Sequence, residues 1–117
     1  MPQSKATMTV RHYDTKASII DIQGEVTATA ENVLMDAYTQ ATNAHAIILN
    51  FTGMEYMNSS GIGLLVTLLI RVNRQKQKLL TYGLTDHYKQ IFMLTRLNEA
   101  IGIYDSESKA LAAAGAA

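Results

Sequence analysis

Two neighbouring serines, Ser59 and Ser60, stand where a polar segment of the chain gives way to an apolar one. The apolar run Gly61–Ile70 predicts a helix that is buried at its beginning. The first N–H groups of a helix lack intrahelical partners, and the helix dipole adds partial positive charge, so this position favours an anion. Two interpretations stay open: Asn58 or Ser59 is only the N-cap, or Ser59 accepts a phosphate of about −1.5 to −2 charges.

Two glycines, Gly61 and Gly63, follow the serines, and they allow a similar choice. A glycine removes side-chain bulk, so the backbone of another protein could come close to Ser59. The other interpretation is that the helix packs tightly against the sheet at these positions.

Other kinds of site fit the chain poorly. There is no cysteine, and the three histidines, His12, His45 and His87, form no ligand pair at helical spacing. Val66 stands where a dinucleotide fingerprint needs its third glycine, no phosphate-loop lysine is present, and Ser59 lacks the glycine setting of a hydrolase nucleophile. We therefore expect a binding surface and not an enzyme, with no metal site and no cofactor.

Composition narrows the classes of partner. The chain has 117 residues, 48% of them apolar, with ten basic and ten acidic residues. Zero net charge argues against direct nucleic-acid binding, and a ten-residue apolar run spans only about half of a bilayer. We expect one domain over residues 1–117, no membrane insertion and a cytoplasmic location.

The neutral total conceals a division of charge along the chain. Residues 12–55 hold six acidic residues and one basic residue, whereas residues 71–96 hold six basic residues and one acidic residue. The serine segment between them carries no charge, so a phosphate there would be a large local change.

The apolar periodicity predicts five strands and four helices in the order β-β-α-β-α-β-α-β-α. This order indicates an α/β fold with a mixed, mostly parallel sheet. The alanine-rich end, residues 110–117, buries little and is expected to fray. The predicted strands are Met8–Tyr13, Ala17–Ile22, His45–Phe51, Lys78–Tyr82 and Ala100–Tyr104, and the predicted helices are Ala30–Thr42, Gly61–Gln75, Thr85–Leu97 and a last one from a Ser106 cap through Leu111.

Two segments carry a family resemblance. One is Gly24-Glu25-Val26, and the other joins Ile47-Ile48-Leu49-Asn50-Phe51-Thr52-Gly53 to Met57-Asn58-Ser59-Ser60-Gly61-Ile62-Gly63-Leu64-Leu65. From about Met8 to Leu111 the chain resembles the STAS domain family, and within it the free-standing bacterial anti-sigma factor antagonists.

The resemblance implies a partner-switching function. An unphosphorylated antagonist binds an anti-sigma factor, which is often a serine kinase, and thereby releases a sigma factor for transcription. The kinase phosphorylates the serine that matches Ser59, with Ser60 as the second choice, and a phosphatase reverses the reaction. A homo-oligomer is a further possibility. The implied partner surface comprises Gly24, Glu25, Thr27, Met57, Asn58, Ser59, Ser60, Gly61 and Ile62.

Three positions depart from the family pattern. Asn58 and Asn50 stand where the family usually has aspartate, and Thr27 stands where phosphorylated members commonly have an acidic residue. A phosphate on Ser59 would meet less repulsion here, but a kinase that recognises those carboxylates would bind less well. The alternatives are an interaction module that is not phosphorylated, such as a stressosome-type scaffold or a transporter-associated subunit, and, more weakly, a nucleotide-binding STAS domain.

Overall fold

The computed structural model describes residues 5–41 and 43–116, and in this part of the chain it has the predicted order of elements. Two short 3₁₀ turns, Ala28–Ala30 and Leu97–Glu99, are added to that order. The strands are β1 (Thr7–Tyr13), β2 (Ala17–Val26), β3 (Ala46–Met57), β4 (Lys78–Tyr82) and β5 (Gly102–Tyr104), and the helices are α1 (Glu31–Ala41), α2 (Ser59–Arg74), α3 (Asp86–Leu94) and α4 (Glu107–Ala113).

The five strands form one mixed sheet in the order β1-β2-β3-β4-β5. β1 is antiparallel to β2, and the pairs from β2 to β5 are parallel. The predicted mixed α/β sheet is therefore confirmed. The four parallel strands end at one side of the sheet, called here the carboxyl edge, and they begin at the opposite side, called here the amino edge.

Helices cover both faces of the sheet unequally. The larger core joins α1, α2 and α3 to one face, where Leu34, Leu65 and Phe92 are almost completely buried. The smaller core lies under α4 on the other face and includes Ile19 and Ile48. Because successive strand residues point to opposite faces, β3 contributes to both cores.

The central strand is longer than its apolar run predicts. β3 was expected to end at Phe51 and β2 at Ile22, but both continue and pair as a two-stranded ribbon as far as the pair Val26 and Met57. β4 leaves β3 after Asn50, so within the described residues β2 is the one strand that pairs with this extension of β3. The ribbon exposes polar residues and contains two irregularities in its register, which removes the alternation that normally marks a strand.

The C-terminal end also differs from its prediction. Ser106 caps α4, accepting a hydrogen bond of 3.2 Å from the backbone N–H of Lys109. α4 continues to Ala113, and Ala110 is buried in the smaller core, so the first part of the alanine-rich end packs where fraying was expected. The predicted helix end at Thr42 lies outside the described residues, as does Ala117. Within the described ranges, no helix has both the length and the apolarity needed to cross a bilayer.

Candidate functional site

Ser59 is the first residue of α2, and Asn58 caps this helix. The Asn58 side-chain oxygen accepts a hydrogen bond of 2.9 Å from the backbone N–H of Gly61. The Asn58 N–H donates to the carbonyl oxygen of Val26 at 3.4 Å, which ties the cap to the end of β2. The cap interpretation therefore holds for Asn58, and it leaves the Ser59 side chain without a capping role.

The side chains of Ser59 and Ser60 are exposed. Among the described residues, neither hydroxyl has a hydrogen-bond partner, whereas the Asn58 amide is engaged as the cap. Asn58 thus supplies the cap, and the two serine hydroxyls that follow it stay unengaged among the described residues. An incoming phosphoryl group at Ser59 would not need to break an existing side-chain contact.

Gly61 and Gly24 are buried and serve the packing of the site. A methyl group on Gly61 would overlap the carbonyl oxygen of Val26, so only glycine lets α2 approach the end of β2 this closely. Gly24 has a φ of +88°, and a methyl group there would overlap the backbone of Lys5. The tight-packing interpretation is therefore confirmed for Gly61, and neither glycine offers open space to a partner.

Gly63 has the opposite environment. It is exposed, and nothing lies within 4 Å of the position that its Cβ would occupy. It stands one turn after Ser59 on α2, where a glycine lowers helix stability by about 1 kcal/mol relative to alanine. The fold of this chain therefore gives no steric reason for glycine at this position.

A groove of about 530 Å³ opens beside Ser59, between the first turn of α2 and helix α3. Its apolar walls are supplied mainly by Tyr56, Ile62 and Ile91. The hydroxyl of Tyr88 accepts a hydrogen bond of 2.9 Å from the backbone N–H of Met57, which fixes α3 against the ribbon. The groove thus combines apolar walls with the exposed hydroxyl of Ser59.

The α3 side of this groove was not predicted to belong to the serine site. The helical spacing of Tyr88 and Ile91 places them on one side of α3, but only the folded chain brings that side to α2. His87 and Thr95 also line the groove. No local motif could have identified these residues, because they lie at least 28 residues from Ser59 along the chain.

The predicted residues of β2 reach the site through the ribbon. Glu25 is in register with Tyr56, and Val26 is in register with Met57. Met57 is buried at 4% exposure, whereas Glu25 is half-buried. The Thr27 hydroxyl lies 2.9 Å from the Thr29 hydroxyl and makes no side-chain cap. Glu25 is therefore the predicted β2 side chain that brings charge to this edge.

Asn50 lies away from the serine site, on the sheet face that α4 covers. Its amide nitrogen donates to Asp21 Oδ1 at 2.7 Å, and its oxygen accepts from the backbone N–H of Thr52 at 3.0 Å. An aspartate at this position would place a second carboxylate beside Asp21. The hydrogen bonds to Asp21 and Thr52 therefore explain why an amide suits position 50, without reference to Ser59.

A polar cluster surrounds that contact. Arg11 pairs with Asp21 at 2.7 Å and with Glu107 at 2.7 Å, and the Tyr82 hydroxyl donates to Glu107 at 2.7 Å. Burial raises the pKa of Asp21, but hydrogen bonds from Arg11 and Asn50 outweigh it, and the net pKa is lowered. The hydrogen bond from Arg11 and that from Tyr82 lower the pKa of Glu107, while burial and the bond to Glu107 raise the pKa of Tyr82. This cluster joins β1, β2 and β4 to α4.

Comparisons with known proteins bear on the family and the fold of this chain. A model of the STAS domain family matches residues 7–110. An anti-sigma-B factor antagonist of Listeria monocytogenes is 27% identical over 103 residues, covering 86% of this chain and 90% of that protein. An anti-sigma factor antagonist from Mycobacterium paratuberculosis has a similar fold, with a TM-score of 0.80, 18% identity and 95% coverage of each chain. The Bacillus cell fate determinant SpoIIAA in its phosphorylated form gives a TM-score of 0.67 at 17% identity, covering 92% of this chain and 98% of that one.

Proposed function

Because this chain belongs to the STAS domain family, we propose that it is an anti-sigma factor antagonist of the bacterial cytoplasm. It binds an anti-sigma factor through the first turn of α2 and so releases a sigma factor. The names of its relatives from Listeria and Mycobacterium support this assignment. In this proposal the chain acts by binding and performs no catalysis of its own.

The observation that carries the proposal is the exposed Ser59 hydroxyl, which has no partner among the described residues. It lies at a helix N-terminus whose cap is already supplied by Asn58. The groove beside it offers an apolar contact area to an anti-sigma factor, and Ile62 and Ile91 line it. A partner that covers this groove also covers the serine.

Phosphorylation of Ser59 is the proposed switch, with Ser60 as the second site. A phosphate would place about two negative charges within an apolar contact area, where they would have to be desolvated, and this favours release of the partner. The partner is then both anti-sigma factor and serine kinase, and a phosphatase restores the binding form. A phosphorylated form of the Bacillus protein SpoIIAA, which shares the fold, supports this proposal.

The test uses a purified anti-sigma factor from the same organism and measures its affinity by calorimetry. We expect the unmodified chain to bind, Ser59→Ala to bind about as well, and Ser59→Asp to bind at least about tenfold more weakly. Ser108→Asp is the matched control, because Ser108 is an exposed serine near the beginning of α4.

Incubation with the anti-sigma factor and ATP should add one phosphate, located by mass spectrometry at Ser59. Unchanged binding by Ser59→Asp together with no added phosphate would refute the switch.

A second candidate is an interaction module that is never phosphorylated, either a scaffold or a transporter-associated subunit. The uncharged residues Asn58 and Thr27 favour it, because phosphorylated members commonly carry acids at these positions. Sizing chromatography at about 500 mM salt separates the two, since a large assembly supports a scaffold and a monomer or dimer argues against one. Nucleotide binding at the start of α2 is the weakest candidate, and absence of heat on titration with GTP and ATP would remove it.

A further inference from the structure

The two edges of the sheet carry opposite charge. At the amino edge, β2, β3 and β4 begin side by side, with Ala46 in register with both Ala17 and Lys78. The exposed basic residues of this edge come from the turn before β2, the end of α2 and the start of β4: Lys16, Arg71, Arg74, Lys76 and Lys78. Asp14, in the turn between β1 and β2, is the acidic residue nearest to them in the chain.

The carboxyl edge holds a matching set of acidic residues. Glu25 and Glu55 lie in the ribbon, Glu31 begins α1, and Asp86 begins α3. Three of them are exposed and Glu25 is half-buried. Two basic residues lie near them: Lys5, which is bridged to Glu25 through the backbone, and Lys89, which stands three residues after Asp86 and pairs with Asp105.

These charges are not used inside the molecule. Within the described residues, the ion pairs join Arg11, Lys89, Arg96 and Lys109 to other acids, and none includes a member of either set. The division of charge along the sequence thus becomes in part a division between two opposite edges: four of the six basic residues of 71–96 lie in the basic set, and three of the six acidic residues of 12–55 lie in the acidic set. The basic amino edge of one copy could therefore pair with the acidic carboxyl edge of a second copy.

We propose that copies of this chain associate head to tail, with the amino edge of one copy on the carboxyl edge of the next. Opposite charges attract the two edges, and Tyr56, which is 48% exposed beside Glu55, offers an aromatic face on which an arginine can stack. The contact is heterologous, so it can repeat along a row of copies. Exposed ion pairs are individually weak, and the association therefore needs high protein concentration and low salt.

This association would cover the edge that contains Ser59. A row of copies would expose the serine surface only at one end, and binding of another protein there would compete with self-association. The contact itself rests on the two charged edges alone. It therefore stands whether or not the chain is an anti-sigma factor antagonist.

Sedimentation velocity of the purified full chain over a concentration series tests the proposal. At about 20 mM salt, where charges act over about 20 Å, we expect the weight-average sedimentation coefficient to rise with concentration, and at about 500 mM salt we expect a constant monomer value. Two double variants cancel most of the net charge of one edge each: Arg74→Glu with Lys78→Glu at the amino edge, and Glu25→Lys with Glu55→Lys at the carboxyl edge. Each alone should associate at least about tenfold more weakly than the original chain.

Mixing the two double variants gives the decisive result. The amino-edge variant keeps the acidic carboxyl edge, and the carboxyl-edge variant keeps the basic amino edge. An equimolar mixture should therefore form pairs through these two unaltered edges, although neither variant associates alone. Arg96→Glu with Lys109→Glu makes the same total charge change as the amino-edge variant at residues outside both charged sets, and it should leave association intact. Thermal melting checks that each variant is folded. A wild-type chain that stays monomeric at low salt, or a mixture that fails to associate, would overturn the proposal.

Discussion

The amide of Asn50 and the carboxylate of Asp21 face each other on neighbouring strands, joined by a hydrogen bond of 2.7 Å. The two residues are in register across β2 and β3. Both lie on the α4 face of the sheet, whereas α2 and its serine lie on the other face. We therefore expect a substitution of Asn50 to change the stability of the fold and not the environment of Ser59.

Asn50→Asp should destabilise the fold by about 1 to 3 kcal/mol at neutral pH, because a hydrogen bond to a charged group becomes a repulsion between two carboxylates. Urea unfolding measures the loss. In the double variant with Asp21→Asn, only one of the two carboxylates remains, so the combined cost should be smaller than the sum of the single costs. Additive costs would show that the two side chains do not interact.

Stability should fall on acidification because the carboxylates of Asp21 and Glu107 have lowered pKa values in the folded chain. Their contribution is fully present above the pKa of the unfolded chain, about 4, and it is lost as the pH falls through the folded values. Arg11→Met should remove much of this dependence and cost about 1 kcal/mol at pH 7, since water screens the half-exposed pairs. Denaturant melts between about pH 7 and pH 3 measure both effects. An unchanged acid slope in Arg11→Met would contradict the assignment to this cluster.

The N-cap of α2 can be tested through Asn58. Asn58→Ala removes the acceptor for the Gly61 N–H and should cost about 1 kcal/mol. Asn58→Asp keeps the acceptor and adds an anion at the helix N-terminus, so it should be at least as stable as the original chain. Thermal melting of the two variants side by side checks the order. Equal melting temperatures for both would mean that the cap contributes nothing.

Local patterns in the sequence predict the order of elements, the mixed sheet and the helix that begins at the serines. The Asn58 cap is also a local feature, because its partner Gly61 is three residues away. The hydrogen bond between Asn50 and Asp21, in contrast, joins residues that are 29 positions apart. The alternation of a strand shows which face Asn50 lies on, but it does not identify Asp21 as its partner. The ribbon is missed for a similar reason, since pairing between β2 and β3 extends it and its buried residues Val26 and Met57 stand among exposed polar ones without regular alternation. Non-local contacts thus place the residues of β2 beside the serine site and Asn50 away from it, and local sequence patterns do not predict such contacts.

Gly61 and Gly63 give a matched pair of substitutions two residues apart. Gly61→Ala should destabilise the fold by about 1 to 3 kcal/mol, because its methyl group would meet the backbone carbonyl of Val26, which cannot move aside as a side chain can. Gly63→Ala adds a methyl group in open space and should stabilise the fold by about 1 kcal/mol. Urea unfolding of both variants is the measurement. Destabilisation by Gly63→Ala would contradict the open environment of this residue.

The same Gly63→Ala variant separates folding from partner binding. If the exposed face of α2 contacts an anti-sigma factor, the added methyl group would hold the partner away from the helix, so affinity should fall although the fold is more stable. Thr67→Ala is the matched control, because Thr67 is exposed one turn further along α2. Its hydroxyl donates a hydrogen bond of 3.1 Å to the carbonyl oxygen of Gly63 within the same helix. Calorimetry with the purified anti-sigma factor should show weaker binding for Gly63→Ala than for Thr67→Ala. Equal affinities would place the contact nearer to Ser59 and the groove, and would leave the glycine at position 63 without a role in binding.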